Sequence, residues 1–234
     1  MTTQSITYAG HSAVFIEIDG LRVAIDPWLN GNPLCPGSLM HPQQLDLIVL
    51  THGHSDHAGD AVRVAKESGA KLAATYELAM IMIAEGVPSE KVIPMNKGGS
   101  VSVGRLTLRL THAFHSSSYD TSAGTVYAGE ACGALISSPK WCVYHAGDTE
   151  IFSDMKLIGE LYKPNVALLP IGDRFTMGPR EAALAASWLG CGVAIPIHYK
   201  TFAALTGTYE EFSQECATLG VESLEIAPGA TRTF

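Results

Sequence analysis

Three imidazoles and a carboxylate fall within six residues, at His52, His54, Asp56 and His57. In extended chain His52 and His54, two apart, project to the same side and can clasp one cation, with Gly53 leaving the backbone free to bend. Asp56 and His57, adjacent where a helix is expected to begin, can reach a second. Four groups do not complete two such positions, because a zinc ion takes three or four nitrogen, oxygen or sulfur donors. Other candidates stand just past apolar runs: His112 and His115 after Leu106 to Thr111, Asp148 after Trp141 to His145, and His198 after Val193 to Ile197. In open α/β sheets ligands gather at the carboxyl ends of strands. A pair of divalent cations lowers the pKa of a shared water toward about 7 and makes hydroxide available as a nucleophile at neutral pH. Neither a Gly-x-Ser-x-Gly elbow nor a Walker-type glycine loop occurs, which argues against covalent catalysis and for direct attack by hydroxide.

The elements that must position these groups alternate along the chain. Strands are predicted at Ile6 to Ala9, Ala13 to Ile18 and Leu21 to Ile25, the last two joined by the hairpin signal Asp19-Gly20. Leu47 to Leu50 is a continuous apolar run of the kind buried on both faces. After the histidine segment come a helix over Ala58 to Ser68, a strand at Lys71 to Ala74, a helix over Tyr76 to Glu85, and strands at Val92 to Met95, Val101 to Val103 and Leu106 to Thr111. His112 to Gly124 is a polar run expected to form a loop or lid beside the cations. Strands follow at Ala134 to Ser137, Trp141 to His145, Val166 to Pro170 and Val193 to Ile197. Helices are expected from Gly178-Pro179 and over Tyr209 to Leu219, with a last strand near Leu224 to Ala227. No linker, charge block or repeat divides the chain, so one α/β domain over residues 1–234 is expected, layered with helices outside buried strands.

Composition narrows the function. The 15 basic and 23 acidic side chains give a net charge of −8, with no basic run, which disfavours a nucleic-acid partner. No apolar run approaches the roughly 18 residues of a membrane span, and Met1-Thr2-Thr3-Gln4 lacks the character of a secretion signal, so a cytoplasmic location is expected. The five cysteines, Cys35, Cys132, Cys142, Cys191 and Cys216, form no Cys-x-x-Cys pair and read as buried small residues.

The chain resembles the metallo-β-lactamase superfamily, whose His-x-His-x-Asp-His signature is matched by His52, His54, Asp56 and His57. His115 before Ser116-Ser117, Asp148 in Gly147-Asp148-Thr149 and His198 in Pro196-Ile197-His198-Tyr199 follow in the superfamily's order. Gly10-His11-Ser12 and the stretch from Pro170 to Pro179 are similar to its small bacterial and archaeal metal-dependent hydrolases. The resemblance implies a four-layer αββα sandwich and two divalent metal ions, with zinc first and manganese, nickel, iron or cobalt as other occupants. His52, His54 and His115 would hold one ion, Asp56, His57 and His198 the other, and Asp148 would bridge them. His115 is preferred to His112 as the third donor because it precedes Ser116 in the branch pattern.

Asp56 is also expected to orient the attacking water and accept its proton. His11 is assigned a catalytic role in the pocket, and Asp26 the orienting of a ligand imidazole through its outer nitrogen. His41 and His145 are read as structural. Arg174, Tyr199 and Lys200 follow strand ends and can bind an anionic group or protonate a leaving group. The expected function is hydrolysis of a small ester, lactone, amide or phosphodiester. The alternatives are a phosphodiesterase or nuclease, a di-iron redox protein of the same superfamily, and a metal-binding protein without turnover.

Overall fold

A computed structural model describes residues 4–234; Met1, Thr2 and Thr3, which carry part of the argument against a secretion signal, lie outside the described residues. The first half of the chain forms β1 (Ser5–Gly10), β2 (Ala13–Ile18), β3 (Leu21–Ile25), β4 (Leu47–Val49), α1 (Ser55–Ala58), α2 (Ala61–Ser68), β5 (Lys71–Thr75), α3 (Tyr76–Ala84) and β6 (Val92–Met95). The second half forms β7 (Ser100–Val103), β8 (Leu106–His112), β9 (Ser118–Thr121), β10 (Gly124–Tyr127), β11 (Cys132–Ser137), β12 (Cys142–His145), α4 (Met155–Tyr162), β13 (Val166–Pro170), α5 (Pro179–Leu189), β14 (Val193–Ile197), α6 (Tyr209–Thr218) and β15 (Thr231–Thr233).

Period-two alternation explains how these strands build layers. Ile6 and Tyr8 of β1, Val14, Ile16 and Ile18 of β2 and Val23 and Ile25 of β3 all enter one buried core. Leu106, Leu108 and Leu110 of β8, Val166 and Leu168 of β13 and Val193, Ile195 and Ile197 of β14 enter the same core from the opposite side. The residues between them face outward: Phe15, Ala24 and Ile48 pack with α1, α2 and α3, while Leu135, Tyr144, Ala167 and Leu169 pack with α4, α5 and α6. Two sheets are therefore packed face to face with helices on both outer sides, the αββα sandwich expected from the sequence.

The first sheet runs in the order β15-β1-β2-β3-β4-β5-β6 and the second β14-β13-β12-β11-β8-β7. In the first, β3 to β6 are parallel, and in the second, β12, β13 and β14 are parallel. Their carboxyl ends lead into the segments that carry Asp26, Thr51 to His57, Asp148 and His198.

Four local expectations require correction. The helix predicted over Ala58 to Ser68 forms from Ala61 as α2, while Ala58 ends a separate short helix, α1; between them Asp60 turns its carboxylate to the backbone amides of Leu29 and Asn30 at 2.7 and 2.6 Å. The polar run from His112 to Gly124 is a loop only in part: 113–117 carry His115 and Ser116 to the pocket, but β8 continues through His112, and β9 pairs with β10 in a separate hairpin packed on α1. Leu224 to Ala227 is not a strand. Ser223 makes one isolated bridge with Ala194, and the chain then crosses to the first sheet, where β15 pairs with β1. Helix α4 has no counterpart among the predicted elements, since its Leu157 and Leu161 point to solvent and blur the apolar pattern of Met155 and Ile158.

Candidate metal centre

Each donor group is set by the end of an element. The backbone leaving β4 carries Thr51 and His52, and His54 caps α1, whose first turns hold Asp56 and His57. Gly53 is required between them: a Cβ there would stand 2.7 Å from the Ser118 carbonyl oxygen and 2.8 Å from the Ala128 Cβ, so a side chain would push away the hairpin that covers the motif. Its amide donates to Ser117 Oγ at 3.1 Å.

The sandwich brings the distant groups together. His115 stands with its ring centroid 5.1 Å from His52 and 5.2 Å from His54, and one donor atom from each of these three lies within 4.8 Å of the others. A second set of the same compactness comprises His11, Asp56, His57 and His198. Asp148 lies between the sets: its Oδ1 is 3.3 Å from His57 Nε2, while its Oδ2 is 3.0 Å from His198 Nε2 and 3.7 Å from His115 Nε2.

Hydrogen-bond accounting fixes which ring nitrogens face inward. Asp26 Oδ1 accepts the Thr51 amide at 2.8 Å, and its Oδ2 accepts the Thr51 hydroxyl at 2.6 Å and His57 Nδ1–H at 2.8 Å. With its own proton given to Asp26, the Thr51 oxygen is free to accept His52 Nδ1–H at 3.0 Å. His52 Nε2 thus turns inward and meets His54 Nδ1 at 3.0 Å. His57 Nε2 and Asp148 Oδ1 are buried and make no hydrogen bond. Orphaned donors aimed at one another, all imidazole or carboxylate, are what divalent cations require, and these residues fit a metal centre.

Electrostatics follow burial and charge. Burial opposes a charge on His57, but the carboxylates of Asp148 and Asp26 outweigh it and hold the imidazole well above its ordinary range. Burial likewise works against the Asp148 anion, and His198 and His57 prevail to hold it well below the usual carboxylate range. Burial pushes His52, His54 and His115 down, and His11 down to about 4 against the pull of Asp56. Burial works against the Asp56 anion, but the neighbouring imidazoles of His11 and His57 prevail and hold it below its usual range.

The other sequence-predicted residues separate cleanly. His112 accepts from Lys97 Nζ at 3.1 Å and packs on Phe114 and Phe152, apart from both donor sets. His41 is exposed beside Glu67. Buried His145 donates from Nε2 to the Ser12 carbonyl at 3.0 Å and accepts the Gly147 amide at 3.1 Å, so both nitrogens are used by the fold. Tyr199 donates to Glu225 at 2.7 Å and Lys200 to the same oxygen at 3.0 Å; neither lines the metal pocket. Arg174 lies over the ring of Phe175, 5.5 Å from its centroid, and it is Phe175 that lines the pocket. Thr51 and Thr201, the hydroxyls that orient His52 and His11, escaped sequence reasoning. Thr51 directly precedes the motif, but nothing in the sequence links Thr201 to His11.

The pocket over these donors measures about 270 Å³ and is lined by His54, Asp56, His115, Ser116, Asp148, Phe175 and His198. Fold and site together define a protein of the β-lactamase superfamily, and the profile described as Beta-lactamase superfamily domain matches residues 21–199. A UPF0173 metal-dependent hydrolase of Methanopyrus kandleri is 47% identical over 228 residues, covering 96% of this chain and 97% of its own. Another from Rubrobacter xylanophilus is 46% identical over 224 residues, covering 94% and 91%. Among solved structures, Igni18, a metallo hydrolase from the hyperthermophilic archaeon Ignicoccus hospitalis, superposes with a TM-score of 0.88 at 39% identity, covering 100% of this chain and 99% of its own. The chain belongs to the UPF0173 metal-dependent hydrolase family of that superfamily.

Proposed function

We propose that this metal-dependent hydrolase is a single-domain enzyme that holds two divalent cations, zinc first among them, and cleaves a small ester, lactone, amide or phosphodiester. His52, His54 and His115 would hold one cation and Asp56, His57 and His198 the other, with Asp148 shared. The observation that carries this reading is the place of Asp148 between the two donor sets: its carboxylate lies 3.7 Å from His115 Nε2 of one set and 3.3 and 3.0 Å from His57 Nε2 and His198 Nε2 of the other, within reach of both, and a carboxylate has two oxygens with which to serve two cations. When bound, the cations polarise the substrate oxygen and lower the pKa of water toward about 7.

The chain's own residues do the rest. Asp56, its side chain 27% exposed, borders the pocket and can orient water there. Phe175 and Ser116 shape the mouth, one apolar and one polar, and the pocket's size suits a small molecule better than a polymer. The acidic balance of −8 supports the same preference against nucleic acid. Among the described residues no helix is long and apolar enough to cross a membrane. Five free cysteines support a reducing, cytoplasmic setting.

The test is a panel of chromogenic esters, lactones, amides and phosphodiesters offered to the zinc-loaded protein and to H54A. Hydrolysis of at least one class, reduced more than about 100-fold in H54A, is expected, since loss of even an outer partner of a metal ligand costs about 10–100-fold. Equal hydrolysis by both proteins, or none by the wild type, overturns the reading.

A further inference from the structure

His11 has an outer hydroxyl partner and a second nitrogen turned inward, an arrangement like that of the motif imidazoles His52 and His57. In His52 and His57 the outer nitrogen gives its proton to Thr51 or Asp26, and the inner one is left facing the cation site. His11 Nδ1 lies 2.9 Å from Thr201 Oγ1, and Thr201 donates its own proton to the Tyr199 carbonyl at 3.3 Å. The threonine oxygen can then accept His11 Nδ1–H, and in that tautomer the neutral ring keeps a lone pair on Nε2. That lone pair points at Asp56 Oδ2, 3.1 Å away, an atom with no proton to offer. Two electron pairs so close in a buried site repel unless a cation lies with them.

We infer that His11 Nε2 is a further protein donor, beside Asp56, His57, His198 and the shared Asp148, to the second divalent cation; the inference rests on the two-cation reading above. One donor atom each from His11, Asp56, His57 and His198 lies within 4.8 Å of the others. The His11 ring centroid is 4.0 Å from that of His198 and 5.5 Å from that of His57. The backbone helps to aim it: His11 takes the left-handed φ of 56°, a conformation uncommon in non-glycine residues. Here the Tyr8 hydroxyl and the His198 amide both donate to the His11 carbonyl, at 2.8 and 2.7 Å. His145 is the contrast within the same molecule, equally buried but with both nitrogens used by backbone groups and no lone pair left over.

Cobalt(II) titration of the metal-free protein, followed by visible absorption and calorimetry, tests this with wild type, H11A and H11Q. The wild type takes two equivalents. In both variants the first equivalent binds as in the wild type, while the second weakens more than about 100-fold and its visible band changes. H11Q keeps a side-chain N–H for Asp56, so a wild-type second band and affinity in H11Q would show that His11 only orients Asp56, and would overturn the inference. If the variants do not fold, cadmium-113 coupling to His11 Nε2 in the cadmium-loaded wild type decides, and its absence counts against a bond. Fewer than two equivalents in the wild type would defeat the two-cation reading itself, whereas two equivalents with a second insensitive to His11 would defeat only this inference.

Discussion

Asp26 lies at the end of β3 with a left-handed φ of 47°, and its two oxygens receive three donors: the Thr51 amide, the Thr51 hydroxyl and His57 Nδ1–H. Through them one carboxylate orients both His52 and His57, though it lies in neither donor set facing the pocket. Replacing it with asparagine preserves its size but exchanges an acceptor for a donor, so one of the three bonds must be lost. D26N is expected to bind zinc about 10–100-fold more weakly, measured by competition with a chromophoric chelator, while retaining its far-ultraviolet circular dichroism. Affinity equal to the wild type would show that the motif orients itself. The histidine motif was legible in the sequence because its donors are local. The hydroxyls were not, because Thr201 meets His11 across 190 positions of chain. Tyr199 and Lys200 were misdirected for the same reason: Glu225, which claims both, reaches them from a segment with no regular strand of its own.

At the scale of elements, the turn after β14 carries His198 and is held from two sides. Its backbone is left-handed at His198 and again at Lys200, with φ of 56° and 63°. On one side Gly172 packs so closely that a Cβ would stand 2.4 Å from the His198 carbonyl oxygen and 3.1 Å from its Nδ1. Overfilling of this kind costs about 1–3 kcal/mol, and here the strain falls on a metal donor. G172A should therefore melt at lower temperature and lose zinc affinity together; unchanged zinc binding would mean that the turn yields elsewhere.

On the other side stands Glu225. Burial would raise its pKa, but the hydrogen bonds from Tyr199 and Lys200 prevail and hold it below the ordinary carboxylate range. A depressed folded pKa contributes stability that is present above the unfolded value, about 4.3, and lost as pH falls through the folded one. The melting-temperature gap between wild type and E225Q should narrow as pH is lowered from about 5, and a gap independent of pH would contradict the clamp. The buried strands were readable because two-sided burial demands apolar residues at every position. The hairpin of β9 and β10 was not, since all four residues of β10 are exposed and carry no such pattern.

Over the whole molecule, the centre sits where the two sheets meet. Asp26, His11 and the motif belong to segments of the first sheet, while His115, Asp148 and His198 follow strands of the second. Bound cations would tie the layers together at that edge, and a ligand at 100 times its dissociation constant stabilises by about 2.7 kcal/mol. Chelation should lower the melting temperature reversibly, with zinc restoring it. A melting temperature indifferent to chelator and metal would remove the cations from the account of stability. The central claim is that the fold assembles two cation positions from the seven donors His52, His54, Asp56, His57, His115, Asp148 and His198. Elemental analysis of the purified protein after loading with zinc and removal of excess tests it most directly: two zinc ions per chain are predicted, falling below two in H54A, whereas one or none in the wild type, or two retained in H54A, would contradict it.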